Sequence, residues 1–324
     1  MSRIRVAVLL LAVAVCLAAG LSAGSVPLSP GEVWAGLRSA DAPASVIVRE
    51  LRAPRVLLAF LVGGSLGVCG AALQAMIRNP LAEPYLLGLS GGAGLGAVLA
   101  IATHAAGPWA VPVAAFVGAL GAVALVYRLS LVVGRRLDPR VLLLSGVVVG
   151  SFFIALMSSI MVLSDSAATR NAFLWLLGGF GSSSWQSLAV FAAYSVVPLG
   201  ILGWNARSLD LLALGEEPAQ YLGANVERTM RVVYVCTALL TAASVAACGI
   251  IGFVGLVVPH AVRTVSRPIH RSLLPLVFLA GGCFLVLCDV ASRVVVRPLE
   301  LPVGVITALV GVPLFAVLLR RTLA

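Results

Sequence analysis

The chain has 324 residues, of which 61% are hydrophobic and 10% are charged, and its formal net charge is +10. So little polar surface cannot cover a soluble globule of this size, which excludes a soluble enzyme or binding domain and predicts a polytopic membrane protein. All the basic residues other than histidine are arginines. Because a P-loop needs a lysine on the nucleotide phosphates, the chain is not itself a Walker-type ATPase.

Apolar segments long enough to cross about 30 Å of hydrocarbon recur along the chain. The first, residues 1–24, could be a signal peptide or a membrane helix, and we expect a retained helix with its N-terminus in the cytoplasm. Residues 25–50 form an external segment with a short amphipathic helix near Trp34. Nine further spans are predicted at residues 54–76, 85–103, 109–133, 141–163, 187–205, 231–250, 252–266, 273–291 and 303–319. The predicted fold is an all-α integral membrane bundle of ten transmembrane helices in a single domain, residues 1–324.

The arginines indicate the orientation of the bundle. With the N-terminus inside, fifteen arginines lie in or beside internal segments and seven lie in external ones. This distribution obeys the positive-inside rule, and the inverted orientation would violate it. We therefore expect both termini in the cytoplasm, and we attribute the positive charge to topology rather than to binding of nucleic acid.

A polar turn, residues 78–84, separates the second and third spans. The orientation puts this turn in the cytoplasm, where we expect it to shape a surface that meets a partner protein. Just after it, Gly88, Gly92 and Gly96 recur at i, i+4 and i+8. This spacing places three small residues on one helical face and predicts a close packing seam with a neighbouring helix.

The longest internal loop, residues 205–231, contains two short helical patterns, at residues 208–215 and 216–223. Glu216, Glu217 and Pro218 suit the first turn of the second helix, and Gly223 suits its C-terminal stop. Exposed apolar side chains on such helices predict a docking surface for another protein; they are Leu211, Leu212, Leu214, Tyr221 and Leu222. The alternative, helices lying on the membrane surface, is less favoured because few basic residues are present to meet anionic lipid.

Three kinds of residue that can carry chemistry are expected to be structural. The six cysteines lie inside apolar spans with no C-x-x-C motif, so we interpret them as small buried hydrophobic residues. His260, next to Pro259, is expected to cap a turn rather than bind haem iron, because no second ligand stands at a suitable spacing. Asp289 is costly in lipid unless it is paired, and Arg293 at i+4 is its natural partner.

The chain resembles the permease subunits of ATP-binding-cassette (ABC) importers for iron-siderophore complexes, haem and vitamin B12. The resemblance covers nearly the whole chain and rests on Arg52-x-Pro-Arg55, Gly70-Ala-Ala-Leu-Gln74, Asn79-Pro80-Leu-Ala-Glu83-Pro84, Leu87-Gly-Leu-Ser-Gly-Gly-Ala93, Trp175-Leu-Leu-Gly-Gly-Phe-Gly181, Leu212-Ala-Leu-Gly215 with Leu222-Gly223, Gly252-Phe-Val-Gly-Leu-Val-Val-Pro-His260, Asp289-x-x-x-Arg293 and Glu300-Leu-Pro-Val-Gly304.

The resemblance implies a type II importer permease that forms a homodimer in the bacterial cytoplasmic (inner) membrane. Two cytoplasmic ATPase subunits, which use ATP and Mg, would dock on one side, and one periplasmic or lipid-anchored binding protein on the other. The chain itself would bind no cofactor or metal. The implied cargo is a metal chelate, an iron-siderophore complex first and haem or vitamin B12 as alternatives.

The resemblance also assigns roles to particular residues. Arg52, Arg55 and Arg293 match external arginines that grip glutamates of the binding protein, which also suits arginine's forked recognition of carboxylates. The alternative for Arg52 and Arg55 is simple anchoring at the membrane interface. The loop of about residues 205–230 would couple the ATPase to the bundle through Leu211, Leu212, Leu214, Gly215, Glu216, Glu217, Tyr221, Leu222 and Gly223.

One segment departs from the family pattern. Between Arg263 and His270 the family usually has a glycine followed by an aspartate, whereas this chain reads Thr-Val-Ser-Arg-Pro-Ile. We therefore expect a different backbone shape and one more positive charge in this loop, and the family's contact with the ATPase is not carried over to it.

The rival function is an ion-coupled secondary transporter. It would require carboxylates or broken helices near the middle of the bilayer. The acidic residues here are instead predicted to lie in loops or near the ends of spans.

Overall fold

The computed structural model describes residues 3–134, 137–266 and 269–323, and the regular structure in these ranges is helical. The helices are α1 (Arg3–Ser22), α2 (Pro30–Arg38), α3 (Ala53–Ile77), α4 (Leu89–Ala102), α5 (Ala110–Gly134), α6 (Pro139–Leu163), α7 (Ser166–Leu176), α8 (Trp185–Trp204), α9 (Ala206–Leu214), α10 (Glu216–Tyr221), α11 (Val226–Cys248), α12 (Val254–Val265), α13 (His270–Val294) and α14 (Val303–Leu323). A π-helical segment, Ile47–Arg52, leads into α3, and a 3-10 turn, Pro84–Leu87, precedes α4.

Six helices in the described ranges are long and apolar enough to cross a membrane. They are Ile47–Ile77, Ala110–Gly134, Pro139–Leu163, Trp185–Trp204, Val226–Cys248 and His270–Val294. Four shorter apolar helices, in α1, α4, α12 and α14, lie where the other spans were predicted. The positions of the apolar helices are thus as predicted, whereas a total of ten membrane crossings stays a prediction.

The centre of the bundle is the antiparallel pair of α3 and α13. A β-carbon added at Gly63 would collide with the Gly281 carbonyl oxygen, and one added at Gly281 would collide with that of Gly63. Two facing glycines therefore bring these backbones into direct contact, as small residues do in membrane helix pairs. The pair has two ends: the arginine end, with Arg55 and Asp289, and the α9–α10 end, where α3 stops and α13 begins.

A second seam joins α4 to α5. β-Carbons added at Gly92 and Gly96 would overlap the carbonyl oxygens of Gly118 and Ala114, so the predicted packing role of these two glycines is confirmed. Gly88 differs from the prediction because it precedes α4 in the left-handed conformation, with φ of +77°. Its closest neighbour is the Gly146 carbonyl oxygen of α6, and the Val126 side chain of α5 lies slightly farther away.

The chain is interrupted between α11 and α12, as predicted from the gap between spans 231–250 and 252–266. Gly249 and Phe253 both have positive φ, +72° and +69°, and the residues between them are not helical. α12 begins alongside the middle of α3, because Gly255 packs against the Leu66 carbonyl oxygen and Pro84. The break therefore lies inside the bundle rather than at its surface.

Most of the short helices in the connecting segments lie where they were predicted. Ser29 and Glu32 form a capping box at the start of α2, the helix predicted near Trp34. α9 and α10 correspond to the two short helices predicted in the internal loop, and Gly223 has a φ of +84° just after α10. α7 was not predicted. In the variant loop between α12 and α13, Arg267 and Pro268 lie outside the described residues.

Five of the six cysteines are buried, Cys283 is half-buried, and all six are free thiols. Their predicted role as buried hydrophobic residues is confirmed.

Candidate functional site

A network of charges closes the arginine end. The Asp289 side chain is fully buried. Its Oδ1 accepts a hydrogen bond of 2.9 Å from Nε of Arg55 and forms an ion pair of 2.9 Å with Nη2 of the same residue. Oδ2 lies 3.0 Å from Nη2 of Arg293, so the predicted pair of Asp289 and Arg293 is confirmed. Arg55 also extends Nη1 to Oε2 of Glu300 at 2.9 Å. One buried carboxylate thus joins α3 to α13, and one exposed carboxylate covers the outer edge of Arg55.

Two arginines at this end satisfy the C-terminal carbonyl groups of α1. Arg52 donates from Nη1 to the carbonyl oxygens of Leu21 and Ser22, at 2.7 and 2.9 Å, and from Nη2 to that of Val26. Arg293 donates to Gly20 and Ala23 at 3.1 and 2.6 Å. The last carbonyl groups of a helix have no partner within it, and they carry the negative end of its dipole. The two cations therefore complete the end of α1.

The three arginines predicted to dock a partner are all largely enclosed by other groups of the chain. Arg52 and Arg293 are buried among backbone carbonyl groups, and the Arg55 side chain is 12% exposed and lies between Asp289 and Glu300. The docking role of all three stays a prediction. The contacts of Arg52 and Arg293 with the end of α1 were not predicted. They join residues up to 273 positions apart, so no local pattern could have revealed them.

At the α9–α10 end, apolar side chains form an exposed patch. Leu214, Tyr221 and Leu222 are 63%, 92% and 61% exposed, as predicted. Leu212 is only 2% exposed, so its predicted place on the docking surface is wrong. It shares the inner face of α9 with buried Leu209 at i−3, a helical spacing that the sequence itself contains. Of the remaining residues predicted to couple, Leu211 and Glu216 are half-buried, Gly215 is buried, and Glu217 and Gly223 are exposed.

The polar turn after α3 runs into the bundle. Pro80 and Leu81 are exposed, but Ala82 and Pro84 are buried. Oε1 of Glu83 accepts a hydrogen bond of 2.6 Å from the Phe253 amide. The second half of the turn is thus buried, and the Glu83 carboxylate caps a free amide at the break before α12. That the turn shapes a surface for a partner protein stays a prediction.

A polar cluster links α3 to α12 closer to the α9–α10 end. Gln74 donates from Nε2 to the carbonyl oxygens of Gly255 and Leu256, and its Oε1 accepts from Arg263. His260 packs its ring edge-on against Phe315 of α14, with centroids 6.0 Å apart. Among the described residues, no group of three or more histidine, cysteine or acidic side chains is arranged to hold a metal ion. The contacts of this cluster are those of helix packing.

The family model of the FecCD transport family matches residues 10–321. The chain belongs to the FecCD transport family. It is 43% identical over 277 residues to the cobalamin import system permease protein BtuC of Halobacterium salinarum, covering 86% of this chain and 74% of that protein. It is 40% identical over 282 residues to the hemin transport system permease protein HmuU of Yersinia pestis, covering 84% of this chain and 82% of the relative.

A solved structure agrees with this FecCD assignment. It shows an inward-facing conformation of a protein regarded as a metal-chelate type ABC transporter, with a TM-score of 0.84, 30% identity and 97% of each chain covered. The similarity of sequence and that of fold thus extend over almost the entire chain. FecCD proteins are permease components of ABC importers, so the chain is a membrane permease rather than an ATPase.

Proposed function

We propose that this FecCD protein is the permease subunit of an ABC importer for a metal chelate, driven by separate ATPase subunits through alternating access. The family match over residues 10–321 carries this proposal. Similar proteins are named for cobalamin and for hemin, so the class of bulky metal chelate is better supported than any one cargo. Iron-siderophore complexes belong to the same class and stay our first expectation for the cargo.

The proposed topology has ten membrane crossings with both termini in the cytoplasm of a bacterium. Six long apolar helices and four shorter ones at the predicted positions support that number. The excess of arginine in the predicted internal segments supports the orientation. In this orientation the arginine end faces the outside and the α9–α10 end faces the cytoplasm.

We further propose a homodimer with the cargo path between its subunits. Two exposed serines on one face of α6, Ser151 and Ser158, support a contact other than lipid there, because hydroxyl groups gain little from facing hydrocarbon. Exposed apolar side chains of α14, among them Leu309 and Val312, are candidates for the same interface. A path lined by small and apolar groups would let a bulky chelate leave as readily as it enters.

The exposed patch of Leu214, Tyr221 and Leu222 is the proposed contact with the ATPase. Three large apolar side chains are exposed on a predicted cytoplasmic surface next to Glu217, and α9 and α10 themselves contain a single arginine, Arg207. Such a surface suits a protein partner better than a lipid headgroup layer. ATP and Mg would be bound by the ATPase subunits. The chain would contribute a moving path and no covalent chemistry.

At the other end, the binding protein would dock near Arg55. Its guanidinium group already holds the exposed carboxylate of Glu300, which supports a surface suited to carboxylates. Arg52 and Arg293 would act behind it, by fixing the end of α1 and the position of Asp289.

The proposal can be tested by complementation of a bacterial strain that lacks its own metal-chelate importers. The chain is expressed with its ATPase and binding-protein partners, and the accumulation of labelled cyanocobalamin, hemin and a ferric siderophore is measured. We expect one of these chelates to accumulate, and only when all three components are present. Accumulation that does not require the ATPase, or no accumulation of any metal chelate, would contradict the proposal.

A further inference from the structure

Asp210 of α9 is joined to the first residue of α13. Its Oδ1 accepts a hydrogen bond of 2.8 Å from the His270 backbone nitrogen and lies 2.6 Å from Nδ1 of the same residue. The His270 side chain is buried, whereas Asp210 is partly exposed. One carboxylate oxygen therefore connects the segment that carries the exposed apolar patch to a helix in the core.

This contact replaces a cap that α13 lacks in its own sequence. The residue at the N-cap position is Ile269, which has no side-chain acceptor for the free amides of the first turn. Asp210 supplies that acceptor from 60 residues earlier, and its negative charge suits the positive end of the helix dipole. The start of α13 is thus held by α9 rather than by its own flanking residues.

α13 runs to the arginine end and contains Pro275 just after its first turn, where one hydrogen bond within the helix is missing. Its 25 residues correspond to about 37 Å, comparable to the thickness of a bilayer. Asp289 and Arg293, near its C-terminus, contact Arg55 and the end of α1. Beyond Pro275 it packs closely on α3 through Gly63 and Gly281, which joins this part of α13 firmly to α3. A displacement of its first turn reaches the arginine end when the turns on the two sides of Pro275 move together.

We propose that Asp210 is the positioning residue through which the α9–α10 segment moves α13, so that α13 transmits movement between the ATPase contact and the binding-protein contact. This inference rests on the proposed function, because it takes the two ends of the bundle as the two docking sites. The contact between Asp210 and His270 is what couples the two ends of the bundle. Capping of α13 by another residue would not be sufficient.

The test measures how strongly the binding protein stimulates ATP hydrolysis by the assembled importer in lipid nanodiscs. For Asp210→Ala we expect the ratio of stimulated to unstimulated rate to fall about fivefold or more, the lower range of typical coupling between sites. Asp210→Asn should keep most of the stimulation, because its amide oxygen can still accept both hydrogen bonds. The exposed Glu227 on α11 offers a matched control, and Glu227→Gln should leave the ratio unchanged.

A double variant separates coupling from capping. Adding Ile269→Asp to Asp210→Ala supplies a local cap for α13 without restoring the link to α9. We expect this variant to recover thermal stability but not the stimulation by the binding protein. Recovery of the stimulation, or normal stimulation in Asp210→Ala, would overturn the inference. If the wild-type permease fails to assemble with an ATPase, the proposed function itself is overturned, and not only the role of Asp210.

Discussion

Oε1 of Glu83 lies 2.6 Å from the backbone nitrogen of Phe253, so a carboxylate from the turn after α3 holds the start of α12, 170 residues later. The adjacent residues reinforce this contact, since the Tyr85 hydroxyl accepts a hydrogen bond of 3.3 Å from the Ile251 amide. Free amides at a helix start are costly when they are buried without a partner. The turn therefore stabilises a break in the backbone that lies inside the bundle.

Removal of this cap is expected to destabilise the protein. Glu83→Ala leaves the Phe253 amide unpaired and should cost about 1–3 kcal/mol of folding stability, while Glu83→Gln keeps an acceptor and should cost less. Thermal unfolding in detergent would measure the difference. Glu227→Ala, which removes an exposed i,i+4 pair, serves as the control. Equal melting temperatures for all three variants would show that the amides at the break find another partner.

The contact of α3 with α12 depends on a missing side chain. A β-carbon added at Gly70 would overlap the carbonyl oxygen of Gly255, so Gly70→Ala should force the helices apart and reduce the yield of monodisperse protein. The matched control is Gly121→Ala on α5, where a β-carbon would meet nothing within 4 Å. There we expect unchanged or slightly higher stability, because alanine favours helix by about 1 kcal/mol over glycine. Similar behaviour of the two variants in size-exclusion chromatography would contradict the close approach.

The buried Asp289 should be more important for stability than the exposed Glu300, although both contact Arg55. Asp289→Ala leaves two buried arginines without their shared carboxylate, and breaking such a pair costs about 3–5 kcal/mol. Glu300→Gln alters a pair that is open to solvent, and about 1 kcal/mol or less is expected. Unfolding by denaturant or heat would compare the two variants. A larger loss for Glu300→Gln would mean that the network is held chiefly from its outer edge.

The two faces of α9 predict two different defects. Leu214→Asp and Leu222→Asp alter exposed side chains, so we expect normal folding but a loss of ATPase from the purified complex. Leu212→Asp places a charge in the core and should instead lower the amount of folded permease. Retention of the ATPase by the variants at Leu214 and Leu222 would remove this patch from the proposed contact.

Hydropathy predicted the positions of the apolar helices well, because the length and the composition of a span are local properties of the chain. The seam at Gly92 and Gly96 and the pair of Asp289 with Arg293 were also predicted, since each depends on a spacing of four residues. The contact of Arg55 with Asp289 joins residues 234 positions apart, and no pattern within one sequence specifies such a pair.

The wrong prediction for Leu212 and the unforeseen contact of Glu83 have separate physical causes. Leu212 was grouped with exposed neighbours because the short helix was considered apolar as a whole, although helical spacing already joined it to Leu209. The contact of Glu83 with Phe253 was not predicted, because a carboxylate in a polar turn is usually solvated. The burial of that turn depends on the break before α12, whose amides provide the partner that the sequence does not reveal.

The central claim is tested most directly by transport in proteoliposomes that contain the permease with its ATPase subunits. Uptake of the metal chelate from the loaded binding protein is followed with and without ATP on the ATPase side, and with a proton gradient alone. We expect uptake that requires ATP hydrolysis and the binding protein and that is indifferent to the proton gradient. Uptake that continues with an inactive ATPase and collapses with the proton gradient would contradict the account and indicate an ion-coupled transporter.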